Sequence, residues 1–251
     1  GAAAMSTLMI GTETSGSIIS PSNANGLVGL RPTVGLVPGY GIAPISASQD
    51  TAGPMDRTVA NAALTLQSIA GYDPHNAEYY SGIWGPGIND EDIIPPVPPT
   101  VPNYLSALDP DFVRGKRIGY NGNSAQVLEA KAALEAAGAI LVERPVITEP
   151  GMPGGVLNYE AHRDIDAYYR HLGPDAPIKS LAEEGADNLA NENEALKFGN
   201  STHANSLAID ISPDSAASVM YRANLLLGKQ LAQRGINRMM TNDTPDDPSD
   251  D

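Results

Sequence analysis

The chain has 251 residues, with 15 basic against 30 acidic side chains and a net charge of −15. That balance leaves too little Lys and Arg to neutralise a phosphate backbone or an anionic lipid surface, and argues against nucleic acid or a membrane as partner. The absence of cysteine excludes disulfides, thiolate metal sites and thiol nucleophiles, while 25 Gly and 21 Pro favour a loop-rich, enzyme-like chain over a bundle or a sandwich.

No apolar run reaches the ~18 residues of a membrane span, and His75, His162, His171 and His203 lack metal-site spacing. No metal or other cofactor is therefore expected. The compartment stays open, a cytoplasmic setting being the simpler expectation.

In chain order, Leu8-Met9-Ile10 reads as a short buried strand leading into Gly11-Thr12-Glu13-Thr14-Ser15-Gly16-Ser17-Ile18. Two readings of this small, hydroxylated run are open. One is a solvated turn; the other is a loop that turns its N–H groups toward a developing anion and presents a serine. Gly26 to Thr33 reads as a glycine-interrupted strand ended by Pro32, and Val34 to Pro54 as a long irregular segment. Within it, Asp50 is expected to tie the loop down.

A helix follows over residues 57–70, with Val59, Ala62, Ala63, Leu66 and Ile69 on its inner face and Gly71 just past its end. Residues 75–110, with Ile94 to Pro99 at their centre, read as an extended surface segment. The order strand 116–120, helix 125–137, strand 140–142 predicts a parallel β-α-β unit, with Val127, Leu128, Ala132 and Leu134 facing inward. Helices are expected over 156–172, 181–194 and 215–234, the last stopped by Gly235. Residues 243–251 carry five aspartates and read as a disordered acidic tail.

Taken in order, the Gly11–Ile18 run, Gly26-Leu27-Val28-Gly29-Leu30-Arg31-Pro32-Thr33, Asp50-Thr51-Ala52-Gly53-Pro54-Met55 and the helix ending before Gly71-Tyr72-Asp73 resemble the amidase signature family of serine hydrolases. The likeness is greatest to its peptide amidases, dense over residues 8–74 and looser beyond. It implies an α/β fold, a mixed β-sheet flanked by α-helices, with residues 1–242 forming part of such a domain. It also implies hydrolysis of a carboxamide by a lysine, a serine in a cis peptide bond and a second serine.

The resemblance places the nucleophile at Ser17 and the oxyanion hole at the backbone N–H groups of Thr14, Ser15, Gly16 and Ser17. A small-molecule or peptide amide is the substrate it implies. Ser15 stands where many members have glycine, and Ile19 where many have arginine, which favours a neutral amide. The family's lysine and cis serine would fall ahead of Gly1, so the implied partner is the N-terminal part of the same amidase. A catalytically silent piece serving in interactions, or one component of an amidotransferase, is the alternative.

Overall fold

In this computed structural model the described residues are 2–3, 5–76, 100–144 and 153–241. The Ile94–Pro99 segment and the acidic tail lie outside them. The chain divides into two compact units, residues 1–107 with 155–221, and residues 108–154 with 222–251.

The first unit is organised on a three-stranded antiparallel sheet in the order β1-β3-β2, from β1 (Ile10–Glu13), β2 (Val28–Gly29) and β3 (Thr51–Asp56). The central strand β3 falls at the end of the segment that the sequence suggests is irregular, because Gly53 and Pro54 are poor strand residues. Tertiary contact overrides that preference. Gly53 pairs with Gly11, and a side chain at 53 would meet the Leu30 carbonyl oxygen at 2.3 Å and Pro32 Cδ at 2.7 Å. Only glycine lets the Leu30–Pro32 backbone cross so near.

The expected buried strand Leu8–Ile10 is displaced toward the C-terminus. The strand runs over Ile10–Glu13, and Leu8 and Ile10 are 37% and 58% exposed, since β1 is an edge strand.

Helix α1 (Ile19–Ala24) follows the Gly/Ser turn, and α2 (Val59–Ile69) follows β3. Thr58 caps α2, its hydroxyl accepting from Asn61 N at 3.1 Å. Ala62, Ala63 and Leu66 are buried as the spacing predicts, but Val59, in the first turn, is exposed. Leu66 packs with Val37 and Ala52, surrounded by Leu30, Leu36, Ile42 and Tyr104. Burying such side chains contributes about 1.5–3 kcal/mol each for the larger ones. Asp56, 1% exposed, joins the layers by accepting from Met9 N at 2.9 Å and Thr65 Oγ1 at 2.8 Å.

The same unit contains α4 (Val156–His171), α5 (Leu181–Ala190), α6 (Glu192–Ala195) and α7 (Ser201–Leu207). The single helix expected over 181–194 is thus two helices joined at Asn191, and α7 is an addition, too short and polar to show a helical period. Tyr159 of α4 stacks on Tyr221 with ring centroids 4.2 Å apart. Tyr221 lies on α8 (Ala216–Thr241), a helix that runs through Gly235 where a stop is expected.

The second unit holds the predicted β-α-β order: β4 (Arg117–Tyr120), α3 (Ala125–Ala136, capped by Ser124) and β5 (Ile140–Glu143). The strands are parallel, Arg117 opposite Ile140. Leu128 and Ala132 do not face inward; both are exposed, and Val127, Lys131 and Leu134 form the half-buried face. Lys131 Nζ sits 3.8 Å from the Tyr120 ring centroid, so its aliphatic stem and charge cover the aromatic face.

Candidate active site

Residues Thr14 to Ile18 form a turn between β1 and α1, and its neighbours alternate sharply. Ser17 is exposed, while Ile18 is 0% exposed. The Ile18 side chain lies against the sheet, where glycines from all three strands clear space for the turn and helix. A side chain at Gly11 would approach Ile18 Cγ1 to 3.4 Å and Met55 Sδ to 2.4 Å, one at Gly53 would approach Ile18 Cδ1 to 3.1 Å, and one at Gly29 would meet Ser22 Oγ at 2.5 Å and Ile18 O at 3.1 Å. The apolar anchor at Ile18 thereby fixes the backbone that presents Ser17. Gly16 has φ +99°, a conformation that strains any other residue.

Two carboxylates hold this turn. Glu13, 5% exposed, accepts from Ile18 N at 2.9 Å and Ile19 N at 3.0 Å and pairs with Arg31 Nε at 3.2 Å. Burial opposes its ionisation, but hydrogen bonds from Ile19, Ile18 and Gly16 and the charge of Arg31 outweigh burial and hold the carboxyl below the ordinary glutamate range. On the other side, Asp50 Oδ1 accepts from Thr14 Oγ1, and Asp50 Oδ2 accepts from Ile45 N at 2.7 Å and Ser46 N at 2.8 Å. Burial raises the Asp50 pKa despite these bonds, and the neighbouring Glu160 adds to the rise. The expectation that Asp50 ties a loop down matches this geometry.

The four residues given oxyanion roles by resemblance are adjacent here, with different surroundings. The Gly16 N–H is turned toward Glu13. Among the described residues no hydrogen bond engages the N–H of Ser15 or Ser17, or the Ser17 hydroxyl. Thr14 contributes its side chain to Asp50. A recess of about 40 Å³ is bordered by Thr12, Thr14, Ile45, Ala47 and Asp50, and a larger open cavity of about 360 Å³ by Ile45, Ala161, Ile165, Leu181, Phe198 and His203. Ile45 borders both.

Sequence reasoning misses Glu160 and Asp164. Acids four apart on a helix ordinarily mark a solvated face, yet both are 0% exposed. Ala47 N donates to Asp164 Oδ2 at 2.8 Å; Ser46 Oγ, Ser48 N (3.2 Å) and Ser48 Oγ (2.7 Å) donate to Glu160 Oε2. Arg163 Nε donates to Asp164 Oδ1 at 2.6 Å, and Tyr221 OH donates to Glu160 Oε1 at 2.6 Å. The residues 46–48 that they hold lie more than a hundred positions away in sequence, so no local pattern could reveal them.

Among the described residues no three His, Asp or Glu side chains converge as metal ligands, and no helix is long and apolar enough to cross a membrane. His162 and His203 are tied to backbone carbonyls of Ile209 (3.0 Å) and Leu181 (2.8 Å).

The serine turn on its glycine floor, the Asp50 loop and the capped helix all lie within the stretch that the amidase family matches. The amidase family profile matches residues 2–242, and the chain belongs to the amidase signature family. It is 37% identical over 180 residues to a putative amidase of Arthroderma benhamiae, covering 65% of this chain and 28% of that protein. A peptide amidase solved with the competitive inhibitor chymostatin superposes with a TM-score of 0.78 at 35% identity, covering 96% of this chain and 48% of that one. A probable amidase of Arabidopsis thaliana is 28% identical over 243 residues, 92% of this chain and 44% of that protein. Similarity extends to a glutamyl-tRNA(Gln) amidotransferase component of Thermosynechococcus vestitus, 40% identical over 145 residues, 53% of this chain and 26% of that protein. The chain spans less than half the length of these relatives.

Proposed function

We propose that the chain supplies the nucleophile and oxyanion loop of an amide hydrolase, with Ser17 as the acyl-forming residue. Its Oγ attacks the carboxamide carbon and its proton passes to the serine and lysine that the resemblance places ahead of residue 1. Backbone N–H groups of Thr14, Ser15 and Ser17 receive the tetrahedral oxyanion, while Gly16, whose N–H faces Glu13, contributes through the turn it permits. Collapse breaks the C–N bond, the leaving nitrogen takes the proton, and water then hydrolyses the ester. The observation that carries this reading is the exposed Ser17 beside a fully buried, carboxylate-pinned Ile18. Loss of one oxyanion donor costs on the order of 3 kcal/mol of barrier.

A neutral peptide amide is the substrate class this reading favours. Support comes from the likeness to peptide amidase and from Ile19 in place of an arginine. The test joins the family's lysine- and serine-bearing segment to residue 1 and measures ammonia release from a C-terminally amidated peptide. Ser17→Ala should abolish release with the circular dichroism spectrum unchanged, and a fluorophosphonate should label Ser17. Labelling of another serine, or turnover retained in Ser17→Ala, would refute the assignment.

A further inference from the structure

Residues 45–48 present four successive backbone N–H groups, and every one ends on a carboxylate. Ile45 N and Ser46 N donate to Asp50, Ala47 N to Asp164 and Ser48 N to Glu160. The turn closes on itself through Gln49 N and Asp50 N, both donating to Ser46 O at 2.8 Å. Its two faces are therefore read by different elements. The inner face fixes Asp50, whose other oxygen accepts the Thr14 hydroxyl; the outer face is fixed by α4. Successive N–H groups of this kind form a concave anion site, here filled entirely by side chains of the same chain.

We propose that Glu160 and Asp164 are positioning residues for the nucleophile turn: by holding residues 46–48 they orient Asp50, which in turn holds Thr14 and the backbone that presents Ser17. The catalytic part of this statement rests on the amide-hydrolase reading above. Arg163 and Tyr221 set the two acids in place, Arg163 bonding Asp164 and, through Nη1 at 3.0 Å, the Tyr221 hydroxyl that donates to Glu160. Neither acid borders the recess beside Thr14, so each acts through the turn rather than on a reacting atom.

Hydrogen–deuterium exchange on the 251-residue chain tests the relay without reference to activity. Asp164→Ala should raise exchange about tenfold in residues 45–51 and also in residues 13–19, leaving α2 unchanged. Asp164→Asn, which keeps an oxygen for the Ala47 N–H, should return both segments to within about twofold of the unsubstituted chain. Should Asp164→Ala fail to fold, Ser48→Ala removes one bond to Glu160 at a half-buried position and should raise exchange about threefold in both segments. Loosening confined to 45–51, or spread equally to α2 in Ser48→Ala, would overturn the relay.

In the joined polypeptide used for the amide assay, Asp164→Ala should lower kcat about tenfold with KM unchanged. A change confined to KM would overturn the positioning role. If the unsubstituted polypeptide hydrolyses no amide, the amide-hydrolase reading fails, while the exchange result still decides the relay.

Discussion

In the three-stranded sheet each strand gives a glycine to the floor under Ile18, and the helix after it buries Ala62, Ala63 and Leu66. In the β4-α3-β5 unit the corresponding surfaces are open: Ile140 is 54% exposed, Leu128 is 52% exposed, and α3 has no buried residue. The first region is held by contacts between distant segments and the second by local order, strand, capped helix and strand. Substitutions in the two regions therefore differ in kind. In the first, a single atom added at a crossing disturbs the turn that carries Ser17; in the second, most changes meet solvent.

The largest expected effect separates two strand glycines. Gly53→Ala puts a Cβ 2.3 Å from the Leu30 carbonyl oxygen and should destabilise by more than about 3 kcal/mol. Gly119→Ala in β4 meets only Arg144 Cγ at 3.4 Å and should stay within about 1 kcal/mol. Urea unfolding measures both, and equal losses would erase the contrast.

A second contrast is in pH dependence. Burial pushes Asp164 up to about 7, with Arg163 opposing and Glu160 adding to the rise. The folded chain then keeps a proton that the unfolded chain releases near pH 4, so this group's contribution to stability falls as pH rises from about 4 to about 7. Between pH 5 and pH 8 the unsubstituted chain should lose about 5 °C more in Tm than Asp164→Asn. The opposite slope would show that Arg163 dominates and that Asp164 is ionised throughout.

Glu13 has the reverse sign. Its folded pKa lies below the ordinary 4.5, so its contribution is present above that value and is lost as pH falls through the lower folded one. Acid unfolding followed by circular dichroism should show a shallower acid limb in Glu13→Gln, and near pH 7 this variant should melt about 3 °C lower. The smallest effect is expected in the second unit, where Lys131→Ala removes a cation from the Tyr120 ring and should move Tm by less than about 2 °C.

Much of this molecule is legible without coordinates. The helices α2 and α4 follow from apolar spacing and boundary residues, and the β4-α3-β5 order follows from two apolar runs flanking a helix, because these signals are local. The position of Ser17 in the turn, the freedom required at Gly16 and the bonds of Asp50 to the N–H groups of Ile45 and Ser46 are local as well. They depend on which residues stand next to one another.

What only the tertiary structure decided is which segments meet. Gly53-Pro54 reads as loop and is the middle of the central strand, because Leu30 and Gly11 approach where a side chain would not fit. Glu160 and Asp164 read as helix-surface acids and are the most buried acids of α4, because the N–H groups they accept belong to residues 46–48. A carboxylate's preference for solvent is a property of its own chemistry. Whether that preference prevails depends on donors that arrive from elsewhere in the chain.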